Sequence, residues 1–143
     1  IKCHSTHPTK FFMYRLRIDS GKSDSSSSQN EHFAISLLPP MVLENLLCCE
    51  LEYKIVDKKT ERILMEGILQ PGKKDPVHQV DFGPESFSVL KISIPQYEWS
   101  NYVPIEMTPT YETYNLKLLD DKKRPLNLYL HFNYSNEGVL KMS

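Results

Sequence analysis

The segment from Phe33 to Val56 constrains the fold more than any other part of the chain. Its sequence is FAISLLPPMVLENLLCCELEYKIV, an apolar run, a proline pair, a second apolar run and a segment that alternates apolar with charged residues. Pro39 and Pro40 have no backbone N–H to donate, so a strand must end or bend there. A helix across Leu43–Leu51 also fits the leucine spacing. The proline entry, the β-branched end and the turn-like DKKTE that follows favour strands.

The same two-residue period recurs along most of the chain, and proline, glycine or aspartate turns interrupt it. Eight or nine short strands without a long amphipathic helix predict an all-β fold, an antiparallel β-sandwich. Residues 19–31 are predicted to be a flexible polar, serine-rich loop within this single domain of residues 1–143. The nine main segments are Phe11–Ile18, Phe33–Leu37, Met41–Leu47, Leu51–Val56, Arg62–Leu69, Val77–Phe82, Phe87–Ile94, Tyr114–Leu119 and Leu126–Phe132. An edge strand is also expected near Tyr102–Glu106, and Val139–Met142 is expected to begin a further strand.

Composition excludes several classes of protein. A length of 143 residues suits one domain, and a net charge of −1 gives no overall attraction to nucleic acid. No apolar run approaches the roughly 18 residues of a membrane span, and the polar first residues are unlike a signal peptide. Three cysteines, two of them adjacent, favour a reducing cytoplasmic setting over a disulfide framework. We also expect the chain to be a fragment of a longer protein.

The residues give little support for catalysis or a cofactor. Cys3, His4 and His7 are metal-ligand types, but a structural zinc site needs four soft ligands and no second pair is present. Cys48 and Cys49 lie among leucines and acids, which raise a thiol pKa, so packed and inert cysteines are expected. No nucleophile elbow or glycine-rich phosphate loop occurs. The sequence therefore predicts no enzyme and no cofactor.

Two charged features of the sequence are candidate binding sites. Calcium loops of the type found in lipid-binding C2 domains need several converging carboxylates. The candidates are spread along the chain, and Lys122–Arg124 follows the last pair, which is typical of a solvated hairpin turn. Lysine clusters would form a basic patch only if the fold brought them together. The acidic candidates are Asp75, Asp81, Asp120 and Asp121, and the basic ones are Lys58-Lys59, Lys73-Lys74 and Lys122–Arg124.

Asn45 is the residue that the pattern singles out. In a strand across Met41–Leu47, it shares a face with Met41, Leu43 and Leu47, so the more apolar face carries an amide. A buried amide without partners costs about 1–3 kcal/mol, so Asn45 is expected to bond backbone groups of a neighbouring segment. A structural clamp is favoured over a ligand contact.

The segment also resembles a known family. The run Leu37-Leu38-Pro39-Pro40-Met41-Val42-Leu43-Glu44-Asn45-Leu46-Leu47 and the following strand are similar to the start of a repeat in the adaptor-binding region of vacuolar protein sorting-associated protein 13. Weaker matches are Glu66-Gly67, Val77–Asp81 and Trp99-Ser100, and the likeness covers roughly residues 33–143. Where the family often has a proline after the Asn-x-Leu triplet, this chain has Cys48.

The resemblance implies a very large cytoplasmic protein that bridges membranes at contact sites and conducts lipids. Its adaptor-binding region consists of tandem β-sandwich repeats, each with a characteristic asparagine that Asn45 would match. Implied partners are adaptor proteins with Pro-X-Pro motifs, bound through the wider repeat region, and neighbouring repeats, with membranes contacted indirectly. The family's motif pocket lies in later repeats, so a scaffold repeat without its own ligand stays open. A C2-like peripheral membrane or lipid-binding sandwich is the alternative.

Overall fold

The computed structural model describes residues 1–4, 11–22, 31–83, 86–106, 112–134 and 140–143. Across these ranges the regular elements are all β-strands. No helix long and apolar enough to cross a membrane occurs in the same ranges. The strands are β1 Lys2–His4, β2 Phe11–Met13, β3 Arg15–Lys22, β4 Glu31–Leu38, β5 Met41–Glu44, β6 Leu51–Asp57, β7 Arg62–Leu69, β8 Lys74–Val77, β9 Ser88–Ser93, β10 Val103–Pro104, β11 Thr113–Leu119, β12 Pro125–Tyr134 and β13 Leu140–Met142.

Two larger sheets contain nine of these strands. One has the order β10-β9-β6-β7 and the other the order β11-β12-β13-β5-β8. Buried apolar side chains from both sheets form one cluster, to which β6 contributes Tyr53, β5 contributes Leu43 and β11 contributes Leu118. The two sheets therefore enclose a common core, and the predicted all-β sandwich is confirmed.

Strand β6 shows how the sequence pattern forms the core. Leu51, Tyr53 and Ile55 are buried, whereas Glu52 is exposed on the opposite face. Because successive side chains of a strand point to opposite faces, this alternation presents one apolar face to the second sheet. The register shifts between Ile55 and Val56, and this bulge lets Val56 be buried as well.

The predicted interruption of a strand at Pro39 and Pro40 is also confirmed. Strand β4 ends at Leu38, and β5 begins at Met41 in a different sheet. The predicted strand across Met41–Leu47 is shorter than expected, because the regular pairing ends at Glu44. Asn45 bonds the turn at Gly72 and Lys73 instead of continuing the ladder.

The prediction of one half-buried strand across Phe11–Ile18 is wrong. The segment divides at Tyr14 into β2 and β3, and these belong to two separate two-stranded sheets. Leu16 and Ile18 are 47% and 60% exposed. The alternation of apolar and polar residues correctly predicts that Leu16 and Ile18 share a face. Within the described residues, however, no other strand pairs with β3 and β4 to extend their sheet.

Strands β3 and β4 extend into both ends of the loop that was predicted for residues 19–31. Asp19 pairs with Ala34 and Lys22 pairs with Glu31, so β3 and β4 form a ribbon that extends into the serine-rich segment. The predicted flexibility of residues 23–30 lies outside the described residues.

Candidate functional site

Asn45 directly follows β5, and the residue is 1% exposed. Its Nδ2 donates one hydrogen bond to the Cys49 carbonyl and one to the Leu69 carbonyl, both at 2.8 Å. Its Oδ1 accepts a hydrogen bond from the Leu47 N–H at 2.9 Å. The carboxamide thus joins the segment after β5 to the end of β7, which is 24 residues away along the chain.

The backbone of Asn45 holds the neighbouring turn. Its N–H donates to the Lys73 carbonyl at 3.0 Å, and its carbonyl accepts from the Gly72 N–H at 2.8 Å. Gly72 has a φ of 69°, a conformation that glycine adopts without steric cost. Since both Nδ2 protons and Oδ1 have backbone partners, the Asn45 side chain offers no donor to a ligand.

The structure separates the cysteine candidates. Cys48 is exposed, so the expectation that it is packed is wrong, whereas Cys49 is half-buried and packs against the core. Both are free thiols, as is the exposed Cys3. In the irregular segment after β5, Leu47 and Cys49 are partly buried, whereas Leu46 and Cys48 are exposed. The side chain of His4 and the whole of His7 lie outside the described residues.

The hairpin of β1 and β2 is fixed to the sandwich next to β8. The Met13 N–H donates to the His78 carbonyl at 2.7 Å, and the rings of Tyr14 and His78 lie 4.8 Å apart. On the same side, Lys2 Nζ lies 2.6 Å from Asp81 Oδ2. These contacts place Phe11 beside the end of the four-stranded sheet.

A groove of about 530 Å³ lies between this hairpin and the sandwich, and we call it the amino-terminal groove. Two phenylalanines line it, each with a lysine against its ring. Lys2 Nζ lies 4.4 Å from the centre of the Phe11 ring, and Lys59 Nζ lies 4.7 Å from the centre of the Phe87 ring. Phe87 is 51% exposed, although a large aromatic side chain is usually buried.

One lysine and one aspartate of the groove, Lys2 and Asp81, form an ion pair. The Lys2 ammonium bonds Asp81 and, against the opposing effect of burial, holds the pKa of that carboxyl below its usual value, helped by the Gly83 N–H. Asp57 Oδ1 accepts a hydrogen bond from the backbone N–H of Lys59 at 2.9 Å. Aromatic rings with cations above them suit an extended segment that has apolar residues and a negative or carbonyl group.

The amino-terminal groove was not found from the sequence. Phe87 and Lys59 are 28 positions apart along the chain, and Phe11 comes from a different hairpin. No local spacing connects these residues. The one sequence feature that pointed towards the groove is Phe87. It was predicted to begin the strand Phe87–Ile94, but it lies just before β9.

The four aspartates do not converge on one cation. Asp75 accepts a hydrogen bond from Tyr53, Asp81 pairs with Lys2, and Asp121 is exposed in a turn. Among the described residues, no group of three or more His, Cys, Asp or Glu side chains is placed to hold a metal ion. The prediction of a solvated turn is wrong for Asp120, which is 4% exposed.

Asp120 instead organises the hairpin between β11 and β12. Its Oδ1 accepts from the N–H groups of Lys122 at 2.9 Å and Arg124 at 2.7 Å, and its Oδ2 lies 2.7 Å from Arg124 Nε. Burial alone would raise the pKa of Asp120, but these bonds and the Arg124 charge lower it. Lys123 takes a φ of 59° to complete the turn.

The lysine clusters have separate local partners. Lys59 lies against Phe87, Lys74 lies 3.2 Å from Glu44, and Lys123 lies 2.5 Å from Glu98. These contacts are on three different segments of the fold. These contacts do not bring two of the clusters together.

Comparison with known proteins decides the family. A family model described as the adaptor binding domain of vacuolar-sorting associated protein 13 matches residues 1–143. The chain belongs to this family. The resemblance carried by Pro39-Pro40 and Asn45 is thereby confirmed, and the match extends over the amino-terminal strands as well.

Two relatives of this adaptor binding domain were found among characterised proteins. The intermembrane lipid transfer protein VPS13 of Chaetomium thermophilum is 26% identical over 125 residues, which cover 85% of this chain and 4% of that protein. The intermembrane lipid transfer protein VPS13D of Homo sapiens is 26% identical over 155 aligned positions, which cover 99% of this chain and 3% of that protein. The chain thus spans a few per cent of the length of these relatives.

Proposed function

We propose that this chain is a non-enzymatic protein-interaction module of a lipid-transfer bridge, and that it contributes to recruiting that bridge to organelles through adaptor proteins. The observation that carries the proposal is the match of the whole chain to an adaptor binding domain. The relatives' names supply lipid transfer as the activity of the larger protein. The proposed location is the cytoplasmic side of membrane contact sites, with the membrane contacted indirectly.

The amino-terminal groove is the described surface that best suits an adaptor segment. Pro-rich segments bind in grooves lined by aromatic side chains, because the extended polyproline conformation is preformed and loses little entropy on binding. Phe11 and Phe87 supply such rings, and Lys2 and Lys59 supply cations near them. We therefore propose Pro-X-Pro segments of adaptors as ligands of the repeat region, with this groove as a contact.

The test is a titration of a fluorescent Pro-X-Pro peptide against the parent protein's repeat region containing this chain. Phe87→Ala is expected to weaken binding about tenfold or more, since a buried aromatic anchor is worth about 1.4 kcal/mol or more. Tyr129→Ala is the matched control, because Tyr129 is also aromatic and 62% exposed but lies on β12. No peptide binding to the unmodified region would refute the adaptor proposal, whereas an unchanged affinity of Phe87→Ala would exclude only the groove.

For Asn45 we propose a structural role within this module. Its side chain and backbone hold three segments together: the residues after β5, the end of β7 and the turn before β8. The carboxamide of Asn45 bonds only backbone groups of its partners, so these hydrogen bonds require the asparagine side chain but no particular side chain on the partner residues. A clamp of this kind would keep the edge of the sandwich in shape for its partners.

A further inference from the structure

The outer face of the four-stranded sheet carries two lysines side by side. Lys54 of β6 and Lys91 of β9 are directly opposite each other in the antiparallel register, and both alternate with buried residues that face the core. Like charges at directly opposite positions destabilise a sheet. Lys54 Nζ lies 3.8 Å from a carboxylate oxygen of Glu66, which is beyond hydrogen-bond distance. Within the described ranges of the chain, Lys91 has no ion-pair partner.

An aromatic ring lies against each of these lysines. Lys54 Nζ lies 4.5 Å from the centre of the Trp99 ring, and Lys91 Nζ lies 4.9 Å from the centre of the Tyr102 ring. Each ring attracts its ammonium group electrostatically and holds it close to the sheet, so the two like charges stay near each other. We call the surface formed by these four side chains the lysine face.

Ser100 fixes the segment that carries both rings. This buried residue donates its N–H to the Ile92 carbonyl at 2.8 Å, and its Oγ accepts a hydrogen bond from the Ile92 N–H at 3.0 Å. Trp99 and Tyr102 lie on either side of Ser100 in the sequence, so this pairing beside β9 brings one ring to each lysine. The Trp99-Ser100 pair, which is part of the family resemblance, therefore has a role in shaping the lysine face.

Three glutamates surround the lysine face. Glu66 is opposite Lys54 in the same cross-strand row, and Glu52 lies two positions before Lys54 on β6. Glu61 accepts a hydrogen bond from the Tyr102 hydroxyl at 2.8 Å. The carboxylates outnumber the two ammonium groups, so the surface is positive at its centre and negative around it.

This charge pattern decides between possible ligands. An anionic bilayer or a nucleic acid presents many negative charges over a wide area, and the surrounding carboxylates would repel them. A protein segment can instead place one carboxylate between the ammonium groups and basic side chains next to the glutamates. From the spacing of strands and residues, Glu52 and Glu66 are each about 7 Å from the midpoint of the lysines, which is the distance between alternate residues of an extended chain.

We infer that the lysine face binds an extended protein segment in which one acidic residue lies between two basic residues at alternate positions. The acidic side chain supplies the counter-ion that Lys91 lacks, and the Trp99 and Tyr102 rings form apolar walls beside it. Ile68, which is 60% exposed in the neighbouring row, adds an apolar contact. The inference rests on the proposed function only in treating the chain as a protein-interaction module, and its surface is separate from the amino-terminal groove.

Trp99 provides the readout for the test, because it is the only tryptophan in the sequence and its ring lies against Lys54. The probe is the end-blocked peptide TKVEVKT, titrated into the 143-residue chain while Trp99 emission is recorded. A saturable change is expected, with an affinity at least about tenfold higher than that of TEVKVET, in which the charges are exchanged. Salt at about 0.5 M should weaken the binding. An unsaturable signal, or equal affinities of the two peptides, would overturn the inference without any substitution.

Lys91→Met removes one of the two ammonium groups and is expected to weaken TKVEVKT binding at least about tenfold. Its urea midpoint should not fall below that of the unmodified chain, because a like-charge pair is removed. Lys117→Met is the matched control, since Lys117 is an exposed lysine of β11 in the other sheet. Equal peptide affinities of Lys91→Met and Lys117→Met would refute the role of the lysine face.

Other ligands are tested in the same assay. Phosphatidylcholine–phosphatidylserine vesicles or inorganic phosphate that reproduce the peptide's effect, with its loss in Lys91→Met, would assign the face to lipid or to an adventitious ion only. Either result overturns the inference. Lys91→Met in the parent's repeat region should leave Pro-X-Pro affinity unchanged, and a loss there would place Lys91 in the adaptor contact and refute a separate site. Failure of Pro-X-Pro binding in the unmodified region would refute the adaptor proposal alone, since the TKVEVKT titration does not depend on it.

Discussion

The Tyr53 hydroxyl donates a hydrogen bond to the Asp75 carboxylate and so connects the two sheets of the sandwich. Tyr53 is a central residue of β6 and is 1% exposed, whereas Asp75 is a half-buried residue of β8 at the edge of the other sheet. Burial, and then the bond and charge of Asp75, raise the pKa of the Tyr53 hydroxyl. The phenol therefore stays protonated and acts as a donor.

Tyr53→Phe is expected to lower the free energy of unfolding by about 1–2 kcal/mol in urea denaturation, because Asp75 loses a partner in a site with limited access to water. Tyr102→Phe is the control, since it removes an equivalent bond of 2.8 Å to Glu61 in an exposed setting. The control should change stability by no more than about 0.5 kcal/mol. Equal effects of the two substitutions would contradict the role given to Tyr53.

Tyr53 also predicts a loss of stability at high pH. Its pKa is raised in the folded chain, so its contribution is present in full below the ordinary value of 10.0 and is lost as the pH rises above it. Urea midpoints measured from neutral pH to above pH 10.0 should fall more for the unmodified chain than for Tyr53→Phe. Parallel curves would show that the tyrosine does not titrate differently in the folded and unfolded states.

Gly67→Ala should destabilise the chain because of the same tyrosine. Gly67 lies opposite Tyr53 on β7, and a Cβ added there would come within 2.9 Å of the Tyr53 hydroxyl oxygen. We expect a cost of about 1–3 kcal/mol from the displacement of a packed ring. The cost should be smaller in a Tyr53→Phe background, which removes the nearest atom, and a double-mutant cycle measures that difference. Strictly additive effects would count against the contact.

Asn45→Ala is expected to lower the melting temperature clearly, by about 4–12 °C. Two carbonyls and one N–H lose their partner, which costs about 2–3 kcal/mol, and each kcal/mol shifts the midpoint of a domain of this size by about 2–4 °C. Asn115→Ala provides the comparison, since Asn115 is an exposed residue of β11. An unchanged melting curve of Asn45→Ala would rule out the clamp.

Asn45→Asp separates the shape of the side chain from its donors. The substitution keeps the size but replaces Nδ2 with an oxygen that faces the Cys49 and Leu69 carbonyls. The new carboxylate oxygen then faces two carbonyl oxygens with no proton to share, and the three acceptors repel one another. The loss of stability should therefore match or exceed that of the alanine variant. A near-neutral effect would show that water replaces these bonds.

Asp120 predicts sensitivity to acid. Because its pKa is lowered in the folded chain, its contribution is present above the ordinary value of 3.8 and is lost as the pH falls through the lower folded value. Urea midpoints should drop below pH 3.8 in the unmodified chain and drop less in Asp120→Asn. Asp121→Asn should follow the unmodified chain, since Asp121 is exposed beside it. Identical acid limbs for all three proteins would contradict the turn-organising role of Asp120.

The sequence by itself determined the local elements where one face of a strand is covered. The prediction of β7 as Arg62–Leu69 agrees with the structure, as does the end of a strand at Pro39. Along β12, Leu130 and Phe132 are buried and Tyr129 is exposed, as the alternation predicts. These features follow from the two-residue period and from the missing proline N–H, both of which are local.

Tertiary structure alone decided which apolar faces are covered and which distant residues meet. The pattern in β3 equals that of a core strand, yet Ile18 is exposed, because burial depends on what the rest of the chain places over a face. The parallel pairing of β13 with β5 and the approach of Lys59 to Phe87 depend on sheet order, which periodicity does not encode. The sequence indicated that Asn45 needs partners, but only the fold brings the Leu69 carbonyl to within 2.8 Å of its amide. A hydrogen-bonding requirement is local, whereas the group that satisfies it is supplied by the packing of the two sheets.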